Sequence, residues 1–489
     1  VIAPALARLR SYGGDEALAR VHHPRTLDEL RDVLRAARRD RTRLTFRGGG
    51  QALDTQSLNI DVVSLAAFDQ ICVDPERCTA TVGAGATWGA IVAETLRHGM
   101  VPPVVVTTRG ATAAGTVSSD CISRFSPSVG REGDHVLSLR LVTVSGDVLE
   151  CSRARHRDVF LGVIGGLGYL GVIVAVEYRL VKLGHVPAVE TRVEPCGSFA
   201  ELVQALAPPR PRSCGSPADP DAIEARSAVC FQRRALVVRS RYVNTPRRRP
   251  LRLLHEPERW LRRVFDLVLR VPGLNALGWW LTFHVVFRRA RTYLDGVEDF
   301  TFFMDGNVHA KRLGQRLGLA MRVLQQTFVV PAAAAAAFLD EMSAALDQRR
   351  LVPTMFDVLF VPEDEGFLLS PGNRLSGHAI SFAFDTSNAA IRAHAREFLV
   401  WATGRCRAAG GRLSLVKHVC ADAGDIAAMY GERLDAFLAL KRRLDPDGMI
   451  RNEFFERVLA GACPVIAGER PGAPPAPSGE ELRDPGHAC

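Results

Sequence analysis

Two short glycine-rich stretches are the first residues of this chain with chemistry to offer: Arg47-Gly48-Gly49-Gly50-Gln51-Ala52, and Ala114-Gly115-Thr116 running on to Ser118-Ser119-Asp120. Successive main-chain N–H groups can converge on an anionic oxygen only where no side chain intervenes, so the triplet Gly48-Gly49-Gly50 suits a phosphate cradle. A glycine triplet also suits a plain tight turn, and on the residues alone the two readings stay open. A third set, Gly166, Gly168 and Gly171, has the G-x-G-x-x-G spacing of a dinucleotide-binding turn, which requires a helix to begin there. The residues that follow, Val172 to Leu180, are β-branched and strand-like. The motif fails that requirement.

Lys417 is the side chain most able to move a proton. In "RLSLVKHV" the period-2 alternation puts Leu413, Leu415 and Lys417 on one face and Ser414, Val416 and His418 on the other. If the leucine face is inward, so is the lysine, and a buried ammonium must be paired, shifted in pKa or set in a polar cavity. Such a lysine could accept a proton or orient an anion; at a strand end it would instead reach out to water. His418 reads as a surface or hydrogen-bonded histidine, and Cys121 and Cys420 as small buried residues.

The elements that must position these residues follow from pattern. "HHPRTLDELRDVLRAARRD", within a helical span read as 15–42, has Thr26 as N-cap with Glu29 three positions on, a capping-box signature. A short strand, Leu44 to Phe46, enters the glycine triplet, and residues 62–82 are strand-like. "GATWGAIVAETLRHG" reads as a helix ended by Gly99, and "HVLSLRLVTVSGDVLECS" as a hairpin about Ser145-Gly146-Asp147. Beyond about 186 the character changes. Residues 205–222 are loop-like, and 228–243 alternate as one strand. "DFTFFMD", "MRVLQQTFVV", "TMFDVLFV" and "GHAISFAFD" then read as strands between Ala-rich helices at 332–348 and 388–409. The fold class is α+β. Its second half is an antiparallel sheet covered by helices, closed by 413–460 with a helix after Asp422. The Pro/Gly-rich tail 461–489 reads as disordered.

Composition narrows the function. The chain has 489 residues, 47% apolar and 24% charged, with a formal charge of +9, which describes a globular protein of two or three units. The positive excess is concentrated at 233–291. Nothing at the amino terminus reads as a signal peptide, and no run of 18 uncharged apolar residues exists. Eleven scattered cysteines without a CxxC pair argue against a zinc ribbon or a disulfide framework. A reduced, cytoplasmic protein with no metal site is the expectation. Within 246–291, Trp260, Leu261, Val264, Phe265 and Val268 recur at helical spacing beside arginines, and Trp279 and Trp280 follow. This suits an interfacial helix on an anionic leaflet or a core helix pair with an exposed arginine face. Without a recognition motif, nucleic-acid binding explains it less well.

The ordered set "FRGGGQAL", "VGAGATWGAI", "RGATAAGTVSSD", "DHVLSLRLVTVSGDVLE" and "GGLGYLGVI" resembles the FAD-binding domain of the vanillyl-alcohol oxidase / p-cresol methylhydroxylase (PCMH-type) superfamily. The resemblance spans residues 10–182 and implies a two-subdomain FAD-binding domain, with a substrate domain over 186–412 and a segment, 413–460, returning to the flavin. It implies that the loops at 47–52 and 114–120 wrap the diphosphate. It also implies that Gly171, Val172 and Ile173 reach the ribityl and ring region. Many relatives carry a flavin-linked histidine where this chain has Gln51, so the resemblance implies noncovalent FAD unless a residue such as Cys121 makes the bond.

"SYGG", "DFTFFMD", "LQQTFVVP", "GGRLSLVKH" and "MYGERLDAFLALKRRLDPDGMI" are similar to bacterial oxidases of the decaprenylphosphoryl-ribose 2-oxidase type, which pass hydride from a secondary alcohol of a lipid-linked sugar to flavin N5. Asp305, Gln325 and Lys417 stand on matching positions, Asp305 as a supporting residue and Gln325 as a hydrogen-bonder to flavin or substrate. The departures are Leu53 for a tyrosine, "SRFSPS" for a histidine-rich turn, and Asp357, Ala379 and Ser381 near that family's substrate-side lysine, asparagine and cysteine. The expected activity is oxidation of a CH–OH group on a sugar or lipid-linked substrate. The alternatives are an NADPH-dependent C=C reductase of the sterol side-chain type and an inert flavin-binding protein.

Overall fold

In the computed structural model, residues 4–183, 187–208, 223–244, 274–305, 322–364 and 366–462 are described. The segment around Trp260, expected from its spacing to be helical, and most of the Pro/Gly-rich tail lie outside them.

The amino-terminal half holds two larger sheets and a two-stranded pairing of Met100–Val101 with Val181–Lys182. In the first, of four strands, the order is Ala5–Arg10, Glu16–His22, Asp61–Ser64, Leu44–Arg47, and the last two pairings are parallel. Parallel neighbours need a crossover, supplied by the helix Leu27–Arg39. Thr26 caps it, accepting from the Glu29 N–H at 3.2 Å, while the Glu29 carboxylate reaches back to the Arg25 N–H. Leu30, Val33, Leu34 and Ala37 are its buried stripe. The helix therefore occupies only part of the span 15–42. Residues 16–22 form a strand, and His23-Pro24 separates the two because Pro24 disfavours helix at the residue before it. Residues 62–82 likewise break into three strands at turns.

The second sheet is antiparallel, in the order Ile71–Asp74, Thr79–Gly83, Val172–Arg179, Val136–Val142, Val148–Ser152. The hairpin turns at Gly146, φ 91°, a conformation glycine adopts without strain. The helices Trp88–Arg97 and Ala113–Val117 join this sheet to the glycine loops.

The carboxy-terminal half is built on eight antiparallel strands in the order Arg291–Gly296, Pro187–Cys196, Arg234–Asn244, Glu224–Phe231, Met355–Val361, Gly377–Asp385, Val323–Pro331, Arg412–Leu413. Helices Phe199–Leu206, Ala332–Gln348 and Ala389–Ala408 cover its outer face. Phe328, Phe356, Phe382 and Phe398 interlock under them, with Phe382 within 6.1 Å of the other three ring centroids. Each such ring contributes roughly 1.5–3 kcal/mol by burial. Alternation then turns the neighbouring residues, Gln325, Thr327, Asp357 and Ser381, to the inner face, towards the amino-terminal half.

Three expectations change here. Residues 228–243 are two strands, not one, because the chain reverses at Gln232, φ 53°. "DFTFFMD" ends a short helix, Val297–Thr301, and a turn. "RLSLVKHV" leaves the sheet after Leu413, so Lys417 stands on a turn, not on a strand.

A candidate flavin site between the glycine loops and the large sheet

The two glycine loops pack directly on each other. A Cβ on Gly48 would lie 2.0 Å from Thr112 Oγ1, and one on Gly49 would lie 1.8 Å from the Gly110 carbonyl oxygen. Gly50 has φ 66° and approaches the Arg47 guanidinium. A Cβ therefore has no room at Gly48 or Gly49, and at Gly50 the left-handed backbone favours glycine. Main-chain N–H groups of residues 48–52 have no acceptor among the described residues, so they are free to face an anion. Gly115 is exposed and Ser118 and Ser119 are half-buried on the short helix and turn beside them.

Other residues expected at the cofactor also brace the loops. Arg47 donates to Ser57 Oγ at 3.0 Å and to the Arg10 carbonyl at 2.9 Å, and burial lowers its pKa. Thr116 donates to Glu132 Oε1 at 2.7 Å and accepts from Trp88 Nε1 at 2.9 Å. Asp120 is buried in an ion pair with Arg131 and accepts from the Gly133 N–H at 3.0 Å. Val172 and Ile173 are core residues, and Gly171 is required because a Cβ would meet the Val142 carbonyl at 2.9 Å. Ala52 and Gln51 remain half-buried at the loop's exit, Gln51 Nε2 donating to the Gly49 carbonyl at 3.2 Å.

The loop exit joins the large sheet. The Tyr12 and Gly13 N–H groups donate to the Ala52 and Leu53 carbonyls at 2.7 and 3.0 Å, and the Gly13 carbonyl accepts from Val323 N–H at 3.0 Å. Gln325 exchanges bonds with His418, its N–H donating to Nδ1 at 3.2 Å while its carbonyl accepts the His418 N–H at 2.9 Å. The histidine is thus hydrogen-bonded, and burial lowers its pKa. Gln56 Nε2 straps the turn by donating to the Leu415 and Lys417 carbonyls at 3.3 and 3.2 Å. Lys417 and Gln325 are thereby brought beside the first glycine loop. Asp305 is elsewhere, accepting from the Arg109 N–H at 3.0 Å and pairing with its guanidinium at 3.3 Å. It anchors the loop that carries Gly110.

On the inner face, Thr327, Ser381 and Asp357 are cross-strand neighbours. Thr327 and Ser381 share a hydrogen bond of 2.7 Å. Burial pushes the Asp357 carboxyl up to about 7, with Lys417 and Ser381 pulling the other way. Burial also drives the Cys121 thiol far above its usual range, again opposed by Lys417. The lysine's charge therefore reaches both halves at the seam between them.

Comparison with known proteins bears on what the seam holds. A family model described as an FAD binding domain matches residues 18–152, and one described as D-arabinono-1,4-lactone oxidase matches residues 306–458. The decaprenylphosphoryl-beta-D-ribose oxidase of Mycolicibacterium smegmatis is 26% identical over 447 residues, 88% of this chain and 92% of that one. The chain belongs to the PCMH-type superfamily of FAD-linked oxidases. An uncharacterized oxidoreductase of the fasciation locus of Rhodococcoides fascians is 35% identical over 159 residues, 32% of this chain. Cytokinin dehydrogenase 1 of Arabidopsis thaliana is 32% identical over 136 residues, 28% of this chain. The chain spans only 36% and 24% of those two relatives' lengths.

As a member of this superfamily it is an FAD-dependent oxidoreductase, and its residues fit the cofactor. The cradle admits no Cβ at Gly48 or Gly49, and the buried Thr112 hydroxyl oxygen within it has no partner among the described residues. Thr112 stands just before the helix Ala113–Val117 and its side chain makes no capping bond there. Gln56 and Tyr12 gave no local signal at all, because their contacts are set by the approach of distant segments.

Proposed function

We propose that the enzyme oxidises a CH–OH group on a sugar or lipid-linked substrate, with FAD held noncovalently. Bound FAD supplies the two-electron acceptor. The observation that carries the reading is the placement of Lys417 and Gln325 together at the exit of the diphosphate cradle, on a chain similar to a sugar oxidase along almost its whole length. Lys417 is positioned to orient the substrate oxygen and Gln325 to hydrogen-bond beside it. Asp305 serves at one remove by fixing Arg109. Gln51 supports noncovalent binding, having no imidazole to bond the ring.

A lipid tail accords with the part of the basic segment that is described. The helix Leu274–Leu281 and its continuation Thr282–Val286 bury Trp279 and Phe283 against Val193, Phe231 and Leu236. The opposite side exposes Leu277, Trp280, Leu281, Val285 and Val286, followed by exposed Arg288, Arg289 and Arg291. Apolar anchors beside cations that form no ion pair among the described residues favour an anionic leaflet. Among the described residues no helix is long and apolar enough to cross a membrane.

The test is anaerobic. Purified protein should be yellow, release its colour into the supernatant on acid precipitation, and bleach with sugar alcohols but not with NADPH. Bleaching by NADPH alone would replace the oxidase reading with a reductase one.

A further inference from the structure

The inner face of the large sheet carries a polar row across three adjacent strands: Thr327, Ser381 and Asp357 in direct register. Next to it, apolar residues Val329, Ala379 and Leu359 pack with Ile122 from the amino-terminal half. The row therefore sits at the seam where Lys417 and Cys121 also lie. Buried carboxylate oxygens in folded proteins are for the most part hydrogen-bonded. Asp357 Oδ1 is instead shut off from solvent without a partner among the described residues. Lys417 acts on it through space but forms no ion pair with it among the described residues. An opposed anion and cation with one carboxylate oxygen unused is the arrangement of a site prepared for a hydrogen-bond donor between them.

We propose that Asp357 Oδ1 receives the hydrogen-bond-donating end of the substrate and takes its proton, so that the group bound at this row is a hydroxyl or an ammonium and not a phosphate. This rests on the oxidase reading above. In the oxidation the C–H hydrogen leaves with its electron pair to the bound FAD. The O–H bond breaks, its electrons form the C=O bond, and the proton goes to Asp357, from which solvent removes it during turnover. Lys417 faces the developing negative charge on the substrate oxygen, and Ser381, bonded to Thr327, steadies the carboxylate. An anionic group at this row would meet the carboxylate's own charge.

Burial sets Asp357's pKa near 7, suited to a base at neutral pH. The charged and titratable groups bearing on it are Lys417 from the turn, the Cys230 thiol from the neighbouring strand and, through the lysine, the Cys121 thiol from the facing segment.

The test uses the yellow holoprotein and Asp357→Asn. Wild-type flavin reduction by an alcohol should rise with pH through a limb near 7. The variant should lose that limb and reduce about 100-fold or more slowly at pH 8. Ser381→Ala, which keeps the carboxylate, should move the limb to higher pH. Without turnover, n-butylammonium should perturb the visible spectrum of the wild type and not of Asp357→Asn, whereas inorganic phosphate should perturb neither. An unchanged limb with a rate within about threefold of wild type, or phosphate binding at the row, would overturn the proposal. If no alcohol reduces the wild type, the oxidase reading falls instead, and the butylammonium titration alone then decides whether Asp357 is a donor-binding group.

Discussion

Glu132 shows what burial without a counter-charge does to a single side chain. Its Oε1 accepts from Tyr178 Oη and Thr116 Oγ1, each at 2.7 Å, while Oε2 has no partner among the described residues. Burial pushes its carboxyl up to about 8. A folded pKa raised above the unfolded one gives stability that is complete below the unfolded pKa and lost as pH rises through the folded one. Wild-type stability should therefore fall by up to about 1.4 kcal/mol per pH unit from this group as pH rises through that window. Glu132→Gln should remove the slope, visible as a smaller difference between urea midpoints at pH 5 and pH 8. Gly49 is constrained by space. Gly49→Ala places a methyl 1.8 Å from the Gly110 carbonyl, a backbone atom that cannot step aside, and should cost roughly 1–3 kcal/mol. The purified variant should show a lower ratio of flavin to protein absorbance. The glycine requirement was legible in the residue types. The duties of Asp120 and Thr116 were not, because ion pairing with Arg131 and bonding to Glu132 depend on what the fold brings alongside.

At the scale of elements, the turn that presents Lys417 is held by a side chain some 360 positions earlier in the sequence. Gln56 Nε2 donates to two of its carbonyls while Gln56 Oε1 accepts from the Asp54 N–H at 3.1 Å. Gln56→Ala should leave flavin content unchanged, since the cradle is built from other residues. It should lower the rate of flavin reduction about tenfold, with about 1 kcal/mol lost in stability. Stopped-flow reduction beside a denaturant titration separates the two effects. Some helices followed their sequence signals closely: Thr26 caps as its capping box predicts, a helix begins after Asp422, and the Ala-rich helix spans Ala332–Gln348. Strand ends followed them poorly. Alternation in "RLSLVKHV" persists past Leu413, but only Arg412 and Leu413 find a partner strand, and pairing, not alternation, ends a sheet.

The molecule as a whole is two packed halves meeting at a seam that the cofactor would occupy. A ligand bound only by the folded state stabilises by RT ln(1 + [L]/Kd), about 2.7 kcal/mol at a hundredfold excess over Kd. Added FAD should therefore raise the Tm of flavin-stripped protein by several degrees, and by little in Gly49→Ala, as calorimetry would show. The residues of the sequence determined the α+β class and the glycine loops, because backbone sterics and hydrophobic period act over a few neighbours. Only the tertiary structure decided that Thr327, Ser381 and Asp357 form one row opposite Lys417. That row exists through the register of strands far apart in the chain, and register is fixed by the packing of whole faces, which no local pattern contains.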